Sequence, residues 1–426
     1  MSHKPSQSNQ EPDTKAVLVP RLRFPEFAAQ PWRAVCLGDV TAESTTRNAG
    51  RSRSMEVMGV TKAEGIVPME ERVIAADRSR YKVVSKNWFA YNPMRLNIGS
   101  IARWHGDQDI LVSPDYVVFR CIEDHAHGIT PQFLDHFRTA DCWRDFVTES
   151  GLGSVRVRIY YKDIAQIELN LPKTAEQQKI ADCLSSLDEL IAAQARKVDA
   201  LKTHKNGLMQ QLFPRGCETQ PHLRFPEFQN TGKWKERKLG TVCDIQRGRF
   251  SHRPRNDSKF FGGQHPFIQT GDVVKSGGGE IIASQSLNEE GLAVSKLFKP
   301  TIVLITIAAN IGDTGLLQKE GCFTDSVAGL IPNKDVTPVF LELIMRGQKE
   351  YLNKVATTGA QKNINNEILR EVSVLVPSVP EQQRIADCHT SLDTLITAAT
   401  QELDTLKTHK KGLMQQLFPA AEEVVA

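Results

Sequence analysis

Two stretches of the chain gather side chains suited to a polyanion. Residues 45–54 (TTRNAGRSRS) carry Arg47, Arg51 and Arg53 with no acid among them. Residues 233–259 hold nine Lys/Arg against three acids, with Trp234, Phe250 and His252 interleaved. A guanidinium fork matches phosphate oxygens and the guanine edge, and glycine permits close backbone approach, so Gly-Arg loops suit contact with DNA. The candidate contacts are Arg47, Arg51, Arg53 and Arg103 in the first half of the chain. In the second half they are Arg247, Arg249, His252, Arg253, Lys275, Gln361 and Lys362. Net charge over 426 residues is only +3, so any basic surface must be local.

Residues that make or break bonds do not accompany them. Neither GxxxxGK[ST] nor GxGxxG occurs, which leaves no glycine cradle for a nucleotide. The 11 histidines form no HExxH, so no metal site is expected. The 8 cysteines stand singly without CxxC, which argues against a disulfide framework and fits a reducing cytoplasm. YNPMR at 91–95 is similar to the Asn-Pro-Pro-aromatic loop of amino-methyltransferases, but Met94 and Arg95 stand where the second proline and the aromatic belong. It reads as structural. The longest apolar run, TIVLITIAA from Thr301, falls short of the ~18 residues of a membrane helix. The polar start (MSHKPSQSNQEPDTK) reads as a flexible tail and not a signal peptide. Catalysis in this chain and a membrane location are both unexpected.

The frame that must position the basic loops is written twice. Residues 174–214 and 379–419 are identical at 27 of 41 positions without a gap, ending in LKTHKNGLMQQLFP and LKTHKKGLMQQLFP. LRFPEF occurs at 22–27 and again at 223–228. ITPQFLDHF (129–137) pairs with VTPVFLELI (336–344), each with Thr-Pro suited to a helix start. The first repeated segment reads as one long helix, with Thr174 and Gln177 as a capping box. Its apolar positions are Ile180, Leu184, Leu187, Ile191, Val198, Leu201, Leu208 and Leu212, and Gln194 and Lys205 complete a heptad seam. The second copy runs Ile385, His389, Leu392, Ile396, Ala399, Leu403, Leu406, Lys410, Leu413 and Leu417. A stripe of ~58 Å outruns any one domain of this size, so the two seams are expected to bury each other. The short linker after the first helix favours an antiparallel pair, with Lys205 matching Lys410 as a register device.

Ahead of each helix lies a variable part, with strand-like runs at 81–84 and 116–120 in the first and at 302–307 and 372–376 in the second. The expected fold class is α+β. Two globular domains (21–172 and 222–378) accompany two antiparallel coiled-coil spacer helices (173–213 and 379–419) about an approximate two-fold axis. A linker at 214–221 and tails at 1–20 and 420–426 complete the chain.

With these pieces in place, the chain resembles the specificity subunit of Type I restriction-modification systems over about residues 21–419. The resemblance rests on EQQ[KR]IADC…SLD at 176–188 and 381–393, on YNPMRLNIGSIAR…SPDY and FIQTGDV (267–273), and on TTGAQKNINNEIL (357–369). The first half departs from the last motif, with Ser154 opposite Gly359 and Arg156 opposite Gln361. The resemblance implies two target recognition domains, each reading half of a split sequence in double-stranded DNA. It also implies two methyltransferase subunits docked on the helices, and restriction subunits in the full complex. S-adenosylmethionine, ATP and magnesium would bind those partners, leaving this polypeptide without cofactor or active site. The alternatives are a coiled-coil adaptor, for which the basic loops are dispensable, and a DNA-binding protein acting without enzymatic partners. A stand-alone adenine methyltransferase is opposed by the missing glycine loop.

Overall fold

The computed structural model describes residues 19–50, 54–70, 74–122, 127–149, 158–216, 218–252, 255–357 and 363–418. The chain divides into two compact units, one built from residues up to Arg196 together with those from Gln401, the other from Lys197–Thr400. Both units have the same strand plan. In the first, the strands are β1 (Arg33–Cys36), β2 (Thr41–Glu43), β3 (Val57–Thr61), β4 (Gly65–Pro68), β5 (Lys82–Val84), β6 (Phe89–Tyr91), β7 (Ile101–Arg103), β8 (Ile110–Val112), β9 (Val117–Cys121) and β10 (Glu168–Leu171). They form a β1-β10 pair and two four-stranded sheets, β2-β9-β6-β7 and β4-β3-β8-β5.

The second unit supplies β11 (Lys235–Lys238), β12 (Cys243–Arg247), β13 (Phe261–Ile268), β14 (Gln285–Leu287), β15 (Leu297–Phe298), β16 (Ile302–Thr306), β17 (Thr314–Leu317), β18 (Gly321–Phe323), β19 (Val327–Pro332) and β20 (Ser373–Val376). Its sheets are β11-β20, β12-β19-β16-β17 and β14-β13-β18-β15, the first unit's orders over again. Each plan has one parallel pairing, Val57 with Leu111 and Phe267 with Cys322. The apolar run IVLIT of β16 is buried at every position, as a strand covered on both faces requires. Of YNPMR, Tyr91 is fully buried on β6 in the core, whereas Met94 and Arg95 are exposed.

The repeated segments are single helices of 39 residues, Thr174–Leu212 and Val379–Leu417. Every seam position of both is buried or half-buried. In the first unit the Lys410 ammonium donates to Asp188 at 2.5 and 2.7 Å, and Gln194 donates to Glu402 at 2.8 Å. Positions thus rise along one helix as they fall along the other, so the pairing is antiparallel. In the second unit Lys205 donates to Asp393. The two lysines expected to match each other instead face an aspartate of the other helix, which a parallel pair would have replaced by a Lys–Lys clash.

The seams bury each other only in part. Ile180, Leu184, Leu417 and Phe418 belong to the core of the first unit's globular part, and Ile385 to that of the second, with Phe213 packed against it. Each domain core is therefore closed by the start of one long helix and the end of the other. A globular part too small to cover a whole stripe thus buries the start of one and the end of the other.

LRFPEF and EQQ[KR] are two halves of one latch. Arg23 donates to Glu176 from Nε at 2.9 Å and Nη2 at 2.7 Å, and the Trp32 indole adds a bond at 3.1 Å. Arg224 and Trp234 do the same to Glu381 at 2.8, 2.6 and 3.1 Å. Lys179 lies over Phe24 and near Glu26, and Arg384 over Phe225 and near Glu227. Gln177, expected to close a capping box with Thr174, is turned inward. Its amide donates to Gly128 and Pro172 carbonyls and accepts from the Thr130 N–H. Gln382 repeats this with Asp335, Pro377 and Thr337. Of the two Thr-Pro starts, Thr130 caps its helix through Phe133 N–H, whereas the Thr337 hydroxyl is buried without a partner.

Candidate nucleic-acid interface

In the second unit the basic loop leaves β12 at Arg247. Gly248 is the residue that permits the turn, since a Cβ there would lie 2.2 Å from the Thr324 carbonyl and 2.4 Å from that of Phe323. The close approach made possible by this glycine is therefore to the chain itself. Phe250 then anchors the loop in an aromatic cluster with Phe260, Phe261 and Phe267. Around that anchor Arg247 and Arg249 are exposed. Arg247 donates to the Asp325 carbonyl and Arg255 to its carboxylate, so Asp325 holds two guanidinium groups side by side. Arg249 bonds no acidic side chain among the described residues, while its carbonyl accepts from Ser295 at 2.7 Å. Lys296 reaches Gln246 at 2.7 Å and lies over the Phe298 ring.

His252 is half-buried, its ring tilted against Phe260 at 4.5 Å and 3.6 Å from Asp257. It shapes the loop. Lys275 is exposed on the short helix Thr270–Ser276. Arg253, Gln361 and Lys362 lie outside the described residues, as do Arg51 and Arg53.

In the first unit Arg47 is exposed and its backbone bridges to Lys82 at the edge of β5. Lys82 donates to the Tyr116 carbonyl at 2.7 Å, and burial lowers its pKa. Arg103 is engaged within the unit: it donates to Asp135 at 3.0 Å and to Asn87 at 2.9 Å. Burial pushes the Asp135 carboxyl up, yet Arg138 and Arg103 together hold it below the usual range. Arg103 thus fastens β7 to the helix Pro131–Phe137. Sequence reasoning could not separate it from the exposed arginines, because Asp135 lies 32 residues away. Lys296 was missed for the converse reason, standing alone outside any basic run.

The arrangement offers guanidinium and ammonium groups on exposed loops held by a buried scaffold, which suits binding and positioning of a polyanion. No group of three or more His, Cys, Asp or Glu among the described residues could hold a metal ion. Nor is any described helix long and apolar enough to cross a membrane.

Comparison with known proteins bears on the same regions. A family model described as Type I restriction modification DNA specificity domain matches residues 131–203 and 231–408. The putative type I restriction enzyme MjaX specificity subunit of Methanocaldococcus jannaschii is 21% identical over 355 residues, covering 82% of this chain and 81% of that protein. The crystal structure of an HsdS subunit from Thermoanaerobacter tengcongensis aligns with a TM-score of 0.50 at 20% identity, over 91% of this chain and 97% of its own. That of a Type I restriction-modification S subunit from M. genitalium aligns with a TM-score of 0.55 at 13% identity, over 95% and 100%.

Proposed function

The chain belongs to the Type I restriction-modification DNA specificity family, and from that premise we propose how it divides its labour. It is a DNA-specificity subunit. Each unit reads one half of a split, asymmetric target in double-stranded DNA, the first with loops around Arg47 and the second with loops around Arg247, Arg249, Arg255 and Lys296. Arg103 has no part in this reading. The observation that carries it is the pairing of a repeated frame with unrepeated loops. Latch, strand order and helix register recur, while the basic loops do not. Such a molecule can change what it reads without changing what it assembles with.

The repeated helices dock two copies of a methyltransferase subunit. Leu190 and Leu395, equivalent in the repeat and both more than half exposed, are the contacts assigned to that docking. Restriction subunits would join the full complex. S-adenosylmethionine, ATP and magnesium would act on those partners, since the glycine loops that hold nucleotides are missing from this sequence. The test is a methylome map of cells carrying the chain with its methyltransferase. A split motif methylated on opposite strands and lost on deletion of this chain is expected, and a methylome unchanged by deletion would overturn the reading.

A further inference from the structure

The fourteen-residue motif repeats more than the seam needs. The seam uses Leu201, Lys205, Leu208 and Leu212, with their counterparts in the second helix, yet Met209, Gln210 and Phe213 also reappear as Met414, Gln415 and Phe418. In the second unit Lys205, Met209, Gln210 and Phe213 line a cleft of about 910 Å³ facing Ile344 and Arg346. In the first unit Lys410, Met414, Gln415 and Phe418 line a cleft of about 390 Å³ facing Thr139 and Arg144. The helix walls share these four equivalent residues. The domain walls differ, yet each brings one arginine, Arg346 and Arg144, from positions that the repeat does not relate.

We propose that each cleft receives an acidic, apolar-anchored segment of the methyltransferase subunit, with a carboxylate beside an aliphatic or aromatic side chain. This rests on the docking reading above. The thioether and phenyl groups suit an apolar anchor, and the cations at the rim suit its carboxylate. Those cations keep donors in reserve among the described residues. Arg346 binds Glu342 through Nε and Nη2 only, and Arg144 binds Asp141 through Nη2 only. His389 also lines the larger cleft, and its buried Nε2 has no partner. A DNA backbone would use the cations but leave the apolar floor uncovered.

Native mass spectrometry of the full-length chain co-expressed with its methyltransferase tests the assignment. The wild type is expected to carry two copies, Met209→Glu or Met414→Glu one, and the double variant none, with melting temperature unchanged. Should the methionine variants unfold, the exposed Gln210→Glu and Gln415→Glu decide, each expected to weaken binding at its own cleft at least tenfold. Two copies retained by all variants would overturn the cleft assignment while leaving docking intact. Retention of both copies with loss of DNA affinity and a shallower salt dependence would also overturn it, in favour of a phosphate site. No copies on the wild type would instead sink the docking reading itself.

Discussion

Arg249 and Arg47 project from loops whose anchors are buried, so their removal should cost contact and not fold. Arg249→Ala is expected to weaken DNA binding, by ~1–3 kcal/mol at a single base position if its fork meets a guanine edge. Fluorescence anisotropy at several salt concentrations separates that outcome from a uniform, phosphate-type loss with a smaller salt slope. Arg103→Ala should instead lower stability, because Asp135 would lose one of its two guanidinium partners. A second prediction concerns His389, which stands where the first copy has Leu184. Burial, helped by Lys205 and Arg346 and opposed by Asp393, holds its pKa at about 4 against an ordinary 6.5. The unfolded chain takes up this proton near pH 6.5 and the folded one only near 4. Stability is therefore complete above 6.5 and is lost as the pH falls through that window. His136, shifted the same way by burial and by Lys410, adds to the loss. His389→Leu should flatten the acid limb of a melting-temperature profile, and an unchanged limb would refute the assignment. At this scale the sequence showed where basic residues cluster. It did not show which of them already have acids, since those partners are distant in the chain.

The long helices were the most legible elements. Their heptad pattern fixes extent and seam together, and both helices match it over 39 residues. What the pattern hid was the latch, because Glu176 and Arg23 are 153 residues apart. Glu381→Gln should loosen the second domain on its helix. Arg224, half-buried, would lose its counter-charge, at a cost of ~1–3 kcal/mol read by chemical denaturation. The Gln177 assignment shows the limit of local reasoning. Its spacing from Thr174 satisfies a capping box, but three partners outside the helix claim the amide. Leu187→Asp with Leu392→Asp places charge in the seam and should abolish soluble assembly. A double variant with unchanged hydrodynamic size and partner content would refute the coiled-coil pairing.

For the whole molecule, the duplicated frame separates assembly from reading. Exchanging the second unit's basic loops for those of a relative should alter only one half of the methylated motif, and a change in both halves would contradict independent readers. Strand order within each unit was not legible in advance. The strands are short, and their pairing is set by sheet-to-sheet packing more than by local pattern. Charge order along each helix carries a further consequence. The acid precedes the base by the same interval in both, Asp188 before Lys205 and Asp393 before Lys410. A single half therefore holds both members of the rung that locks the pair. Two copies of a fragment ending at Pro214 can satisfy Asp188 of one with Lys205 of the other, closing an isologous homodimer. Such a dimer would recognise an inverted repeat of one half-target, so a truncating stop codon would convert an asymmetric reader into a palindromic one.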